Sequence, residues 1–258
     1  MLKIDSLTKI YGRGGVKAVD DLSLTVADGE IYGFIGPNGA GKSTTIKCVT
    51  GILGFTSGAI TVAGADMRTS PLEAKRHIGY VSDDHTLYER LTGAEFVAFM
   101  CNVYGVPEHE RKKRLEKYVD LFDLGKAIGD PITSYSHGMK QKLSIIGALI
   151  HEPGLWVLDE PMTGLDPKSA YNLKQLMREH TARGNSVFFS SHVLDVVEKV
   201  CDRVGIIDHG KLIVDCAVSE LHAAGMDKSL EEVFLSITSD KSAETPEEIS
   251  LFDDGGQR

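Results

Sequence analysis

The stretch Gly36-Pro-Asn-Gly-Ala-Gly-Lys-Ser43 fits the pattern GxxxxGK[ST], a glycine-rich loop that ends in lysine and serine. An apolar run, Ile31–Ile35, precedes it, and a helical pattern, Ser43–Leu53, follows it. A strand, a glycine-rich turn and a helix in this order gather backbone N–H groups and a helix N-terminus around one point. We therefore predict a phosphate-binding loop in an α/β fold.

Each residue of this loop, with the residue after it, is a candidate contact for the phosphates of a nucleotide. Lys42 is long enough to reach the outer phosphates, and the hydroxyl of Ser43 suits Mg²⁺. We therefore expect a nucleotide and Mg²⁺ to bind here. The candidate residues are Gly36, Pro37, Asn38, Gly39, Ala40, Gly41, Lys42, Ser43 and Thr44.

Two acidic residues end a second apolar run. Leu155–Leu158 leads directly into Asp159 and Glu160, and α/β sheets bind ligands at the carboxyl ends of their strands. Asp159 follows Lys42 by 117 positions, which suits one domain. We expect Asp159 to orient Mg²⁺, and Glu160 to act near the γ-phosphate as the base or as the group that positions the attacking water.

Strand and helix patterns alternate along most of the chain, which predicts a mainly parallel sheet. Short strands joined by glycine-rich turns fill the first 35 residues, and the pattern from about Thr86 to Thr133 is helical. The predicted fold is α/β: a P-loop NTPase core with a mainly parallel sheet, N-terminal antiparallel β strands and an inserted helical subdomain. The expected boundaries are one domain over residues 1–238, with its core at 1–85 and 134–238 and its helical subdomain at about 86–133, then an acidic, disordered tail at 239–258.

Composition narrows the class of protein. The net charge is −9 over 258 residues, of which −4 lies in residues 239–258, so a mildly acidic body argues against an extended nucleic-acid surface. The basic run Arg111–Arg114 is interpreted as solvated helix surface. Neither a signal peptide nor an apolar run near the roughly 18 residues of a membrane span is visible, so we expect a soluble, cytoplasmic protein. The four cysteines form no CxxC pair, which favours reduced thiols.

Four further motifs accompany the phosphate loop and the acidic pair. Tyr135-Ser-His-Gly-Met139 precedes a helix, Thr163-Gly-Leu-Asp166 follows the acidic pair, His192 follows a strand ending in Phe-Phe-Ser-Ser, and Tyr11 lies in an N-terminal Lys-Ile-Tyr-Gly segment. In their order along the chain, over residues 2–237, the motifs resemble those of the ATP-binding subunits of ABC (ATP-binding cassette) transporters.

This resemblance implies a role for each motif. It implies that Tyr11 stacks on the adenine of ATP, that His192 touches the γ-phosphate, and that Asp166 lies in a loop crossing a dimer interface. It also implies that Ser136 and Gly138 approach the γ-phosphate held by an opposing subunit. Simpler interpretations remain open: Ser136 and His192 also suit helix caps, and Tyr11 also suits a strand edge. The implied catalytic residues are Lys42, Glu160, Asp166 and His192.

Two positions depart from the family pattern. His137 and Met139 stand where glycine and glutamine are usual, which puts the contribution of the first glycine in doubt. Asp83, in Gly79-Tyr-Val-Ser-Asp83, stands where glutamine is usual. A carboxylate cannot donate a hydrogen bond to water, but it is a good Mg²⁺ ligand, so Asp83 joins Ser43 and Asp159 as a candidate metal ligand. Asp83 with the following segment resembles cassettes that pair with small exporter permeases for drugs or peptides.

The resemblance implies an ATPase subunit that dimerises around ATP and Mg²⁺ and drives a separate transmembrane permease subunit, most simply for export, from the inner face of the cell membrane. The helical insert is the expected docking region. The second ATP-binding subunit is either an identical or a different chain, and no nucleic-acid partner is expected. The alternative is a non-transport ABC ATPase that acts on nucleic acid or the ribosome; it is disfavoured because this chain has one cassette and no long coiled coil between the two halves of the site.

Overall fold

A computed structural model describes residues 1–12, 15–84, 87–223 and 230–239. Its strands are β1 (Leu2–Ile10), β2 (Lys17–Val26), β3 (Ile31–Ile35), β4 (Ser57–Val62), β5 (Ala65–Asp66), β6 (Ile78–Val81), β7 (Leu155–Asp159), β8 (Ser186–Ser190), β9 (Arg203–Asp208) and β10 (Lys211–Ala217). Its α-helices are α1 (Lys42–Val49), α2 (Pro71–Arg76), α3 (Gly93–Val103), α4 (Glu108–Leu121), α5 (His137–Leu149), α6 (Pro167–Ala182), α7 (Leu194–Val200), α8 (Val218–Ala223) and α9 (Leu230–Ser239), with a 3₁₀ turn at Ile132–Ser134.

The larger sheet has the strand order β10-β9-β3-β8-β7-β6. Its strands pair in parallel from β9 to β6, and only β10 runs antiparallel, against β9. Every residue of β3, β7 and β8 is buried, as expected for strands covered on both faces. The carboxyl ends of these strands therefore meet at one edge of the sheet, where the loops that follow them carry the candidate site.

The N-terminal strands form a separate antiparallel sheet with the order β2-β1-β4-β5. The strands β1 and β2 alternate between buried and exposed residues over much of their length, which is typical of a sheet with one face on the core. The mainly parallel sheet and the N-terminal antiparallel strands predicted from the sequence are thus both confirmed.

The helices α3 and α4 lie within the stretch predicted to be helical. Phe96 and Val97 of α3 and Tyr118 and Val119 of α4 are buried, and they join the same apolar cluster as Val81 and other residues on one face of the parallel sheet. The division into a core and a helical subdomain stays a prediction. The predicted tail, 239–258, lies outside the described residues apart from Ser239, where α9 ends.

The basic run at the start of α4 is only partly solvated surface. Lys112 and Lys113 are exposed, but Arg114 donates to the Ile150 carbonyl at 2.9 Å, pairs with Glu152 at 2.9 Å, and also pairs with Glu110. The interpretation is therefore wrong for Arg114, because a guanidinium group can bind carbonyl and carboxylate groups together. This arginine ties α4 to the end of α5.

Candidate nucleotide site

The phosphate loop connects β3 to α1, as predicted. Gly41 has φ +111, and a Cβ on it would lie 2.3 Å from the Ala18 carbonyl oxygen, so only glycine fits there. Thr45 donates to the Gly41 carbonyl through both its N–H and its hydroxyl, each at 2.9 Å. Because the first N–H groups of a helix have no intrahelical acceptor, α1 presents donors and positive potential at the loop.

Lys42 lies inside this loop and is only 8% exposed. Its ammonium group donates to the carbonyl oxygens of Gly36 at 2.7 Å and Pro37 at 3.1 Å. Burial lowers the pKa of Lys42, while the nearby carboxylates of Glu160 and Asp159 act in the opposite direction. The side chain is thus held where it can exchange carbonyl partners for phosphate oxygens.

Asp159 is the last residue of β7 and is fully buried. Its Oδ1 accepts a 2.6 Å hydrogen bond from the Ser190 hydroxyl, whereas Oδ2 has no hydrogen-bond partner among the described residues. Burial, and to a lesser degree the neighbouring charge of Asp83, raise the pKa of Asp159, while the hydroxyls of Ser190 and Ser43 act in the opposite direction. A buried carboxylate oxygen without a partner is costly, and a hard cation such as Mg²⁺ would satisfy it.

Glu160 and His192 meet as a pair. His192 Nδ1 lies 2.8 Å from Glu160 Oε2, and the His192 backbone N–H donates to the same oxygen at 3.3 Å. Glu160 follows β7 and His192 follows β8, so the parallel pairing of these strands brings the two together. His192 is not a helix cap, since α7 begins at Leu194 and the imidazole contacts Glu160 instead.

The remaining residues of the pocket come from three other segments. A cavity of about 270 Å³ is lined by Ala18, Asn38, Gly39, Gly41, Lys42, Ser43, Thr44, Asp83 and Glu160. Tyr11 is exposed, and its hydroxyl lies 3.4 Å from the Thr44 hydroxyl, so its ring stands at the rim of this cavity. The structure therefore brings the phosphate loop, Asp83 and Glu160 together, which fits a nucleotide with its magnesium ion.

The residues of the Ser136-His-Gly-Met139 segment lie elsewhere. Ser136 caps α5 by accepting a 3.3 Å hydrogen bond from the Met139 N–H. Gly138 packs against the Gly164 carbonyl oxygen, which a Cβ on Gly138 would approach to 2.6 Å. The His137 ring also lies against Gly164, since a Cβ there would meet its Cδ2 at 2.4 Å. This segment thus packs on the loop 160–166 and does not line the phosphate-loop cavity.

Asp166 belongs to this second cluster too. It caps α6 by accepting from the Ser169 N–H at 2.9 Å, and it pairs with Lys142 at 2.8 Å. The Lys142 ammonium group, followed by the hydrogen bonds from Ser169, holds the pKa of Asp166 well below its usual range. Sequence reasoning missed Lys142, and it also missed Gln141, whose buried amide donates to the Pro161 carbonyl at 2.9 Å. Neither residue type signals such a contact by itself.

Comparison with known proteins assigns the class. The ABC transporter family pattern matches residues 19–163. The linearmycin resistance ATP-binding protein LnrL of Bacillus subtilis (strain 168) is 38% identical over 83% of this chain and 68% of its own. The ABC transporter ATP-binding protein NatA of the same organism is 36% identical over 86% of this chain and 90% of its own.

A solved structure described as the ATP-binding subunit of an ABC transporter superimposes with a TM-score of 0.87 at 32% identity, over 92% of this chain and 99% of the other. The chain belongs to the ABC transporter family. It is an ATP-binding subunit with the P-loop NTPase fold, and its activity is ATP hydrolysis.

Proposed function

We propose that this chain hydrolyses ATP in complex with Mg²⁺ at a site shared by two ATP-binding subunits, and that it thereby powers export through a separate permease. The observation that carries the proposal is the spatial separation within one chain. Lys42, Ser43 and Glu160 line the nucleotide cavity, whereas Ser136 and Gly138 pack against the loop 160–166. A second subunit that faces the cavity would supply its own Ser136 and Gly138 to the nucleotide.

Within the cavity, the chain's own groups have distinct roles. Ser43, Asp159 and Asp83 would hold Mg²⁺, which when bound supplies positive charge that stabilises phosphate oxygens. Lys42 neutralises further negative charge. Glu160 accepts the proton of the attacking water, and His192 orients its carboxylate through Oε2. Tyr11 stacks on adenine at the rim.

The experiment uses Glu160→Gln, with Lys42→Ala as the matched variant. The glutamine side chain keeps the shape of the glutamate but cannot take a proton, so ATP should bind and hydrolysis should fall by about 10²–10⁴-fold. ATP-bound dimers should then accumulate, and size-exclusion chromatography with ATP and Mg²⁺ should show them. Lys42→Ala removes charge next to the phosphates, so this variant should stay monomeric and inactive.

Two results would contradict the proposal. A Glu160→Gln chain that remains monomeric at saturating ATP would contradict the shared site. Wild-type turnover in either variant would contradict the assignment of the phosphate loop or of the base. Glu160→Gln should keep ATP binding, whereas Lys42→Ala should weaken it. A comparison of the two variants therefore separates a loss of hydrolysis from a loss of ATP binding.

The permease proposal is supported by an exposed apolar cluster on the helical stretch. Tyr88, Phe99 and Val103 are all exposed, and the rings of Tyr88 and Phe99 contact edge to face at 5.4 Å between centroids. Exposed apolar groups of this kind are typical of protein contact sites. No helix in the described ranges is long and apolar enough to cross a membrane. We propose that the permease docks on this cluster and holds the chain at the inner face of the cell membrane.

The name of one relative and the Asp83 segment support a proposal for the cargo. LnrL is named for resistance to linearmycin, and the Asp83 segment resembles cassettes of drug or peptide exporters. We therefore propose a drug-like or peptide cargo, with specificity set mainly by the permease. A nucleic-acid machine is less well supported, because the body of the chain is acidic.

A further inference from the structure

Ser190 connects the two acidic residues of the site, although the motif that contains it assigns it no role. It is the last residue of β8 and is fully buried. In the β7–β8 pairing it stands opposite Asp159. Its hydroxyl donates to Asp159 Oδ1 at 2.6 Å and accepts from the Glu160 backbone N–H at 3.1 Å. One hydroxyl thus contacts the carboxylate of Asp159 and the backbone of Glu160, the two residues on which the proposed hydrolysis depends.

The backbone at Glu160 needs such support. Glu160 has φ +49, a left-handed conformation that is uncommon for residues other than glycine, asparagine and aspartate. Conformations of this kind persist when surrounding contacts hold them in place. At Glu160 the N–H is held by Ser190, the carbonyl accepts from the Thr163 N–H at 3.2 Å, and the carboxylate is held by His192.

We infer that Ser190 is a positioning residue, which holds the buried carboxylate of Asp159 close to the phosphate loop and the carboxylate of Glu160 at the cavity. The direction of its hydrogen bonds supports this role. The single hydroxyl proton of Ser190 goes to Asp159 Oδ1, and the oxygen of Ser190 is left to accept from the Glu160 N–H. The inference rests on the proposed function, because it assigns Mg²⁺ to Asp159 and proton transfer to Glu160.

The neighbouring serine provides a matched control. Ser191 is also buried, but its hydroxyl accepts a 3.0 Å hydrogen bond from the Val193 N–H. Replacing either serine by alanine removes one buried hydroxyl close to His192 in the chain. Only the change at Ser190 removes a contact to Asp159 and Glu160.

The test compares Ser190→Ala, Ser190→Cys, Ser190→Thr and Ser191→Ala in the full chain. We expect Ser190→Ala and Ser190→Cys to lower kcat by about 10–100-fold, as is usual when a group that orients metal ligands is removed. The KM for ATP at saturating Mg²⁺ should rise by no more than about tenfold, which is the expected loss of metal-dependent ATP affinity. The threonine hydroxyl should restore kcat to within about threefold of the wild type, and Ser191→Ala should change kcat less than Ser190→Ala.

A binding measurement gives a readout independent of turnover. Equilibrium titration with ATP in EDTA should be the same for Ser190→Ala and the wild type, whereas the gain in ATP affinity on adding Mg²⁺ should be about tenfold smaller in the variant. Thermal unfolding of each variant shows that it is folded. If Ser190→Ala does not fold, Ser190→Cys provides the same comparison.

A double variant separates this inference from the proposed function. Because the glutamine in Glu160→Gln cannot accept a proton, adding Ser190→Ala to that variant should lower kcat less than it does in the wild type, since only the contribution through Asp159 remains. If Glu160→Gln retains wild-type turnover, the proposed function fails. If Glu160→Gln is inactive while Ser190→Ala keeps wild-type kcat and its full response to Mg²⁺, only the role of Ser190 fails. Equal losses in kcat for Ser190→Thr and Ser190→Ala would also overturn it.

Discussion

The buried histidine of α6 makes stability depend on pH, and His180→Leu tests this. His180 is 7% exposed and packs edge-on against Trp156, with 5.8 Å between ring centroids. Its Nε2 has no hydrogen-bond partner in the described part of the chain. Burial, with a smaller contribution from the positive charge of Arg183, lowers the pKa of His180 from 6.5 to about 4.

The sign and size of this pH dependence follow from the protons that the folded and the unfolded chain bind. Well above pH 6.5 His180 is neutral in both the folded and the unfolded chain, so it does not affect stability there. Below pH 6.5 the unfolded chain binds a proton at this histidine, whereas the folded chain does not until the pH approaches 4. Stability therefore falls as pH drops from 6.5 and levels off below about pH 4. With these two pKa values the loss at pH 5 is about 2 kcal/mol.

The assay is urea unfolding at pH 7 and pH 5, followed by circular dichroism at constant ionic strength without nucleotide. Between these pH values, the free energy of unfolding of His180→Leu should fall by about 2 kcal/mol less than that of the wild type. His109→Gln, at a histidine whose side chain is 81% exposed, is the control and should follow the wild type. Equal pH dependence in His180→Leu and the wild type would refute the reasoning.

Two further predictions concern the metal and the permease. Asp83→Asn should raise the Mg²⁺ concentration needed for half-maximal ATPase activity and leave metal-free ATP binding unchanged, because a carboxylate binds Mg²⁺ better than an amide; superimposable Mg²⁺ titrations would make Asp83 an ordinary loop residue. Phe99→Asp should reduce co-purification with the membrane fraction without changing ATPase activity in solution, since it places a charge in the exposed apolar cluster. Ile213→Asp, at an exposed residue of β10, is its control, and equal membrane recovery of the two variants would count against docking at Phe99.

Much of the fold follows from local sequence signals. The strand Ile31–Ile35 is predicted at its observed bounds because an apolar run sits between a turn and a glycine-rich loop. The helix after the loop is predicted to reach Leu53, but α1 ends at Val49. The N–H groups of Ile52 and Leu53 both bond to the Lys47 carbonyl, so the chain leaves the helical hydrogen-bond pattern there. Such endings depend on tertiary packing as well as on residue type.

The contacts that organise the site could not be predicted, because they join residues that are distant in sequence. Ser190 and Asp159 meet only through the register of two parallel strands, and a serine at a strand end carries no signal of its own. The same holds for Lys142 of α5 and Asp166, the cap of α6, which pair across two separate helices. A motif states which groups the chemistry requires. Packing determines which residues orient those groups. The site of this chain therefore depends on supporting contacts that its motifs do not specify.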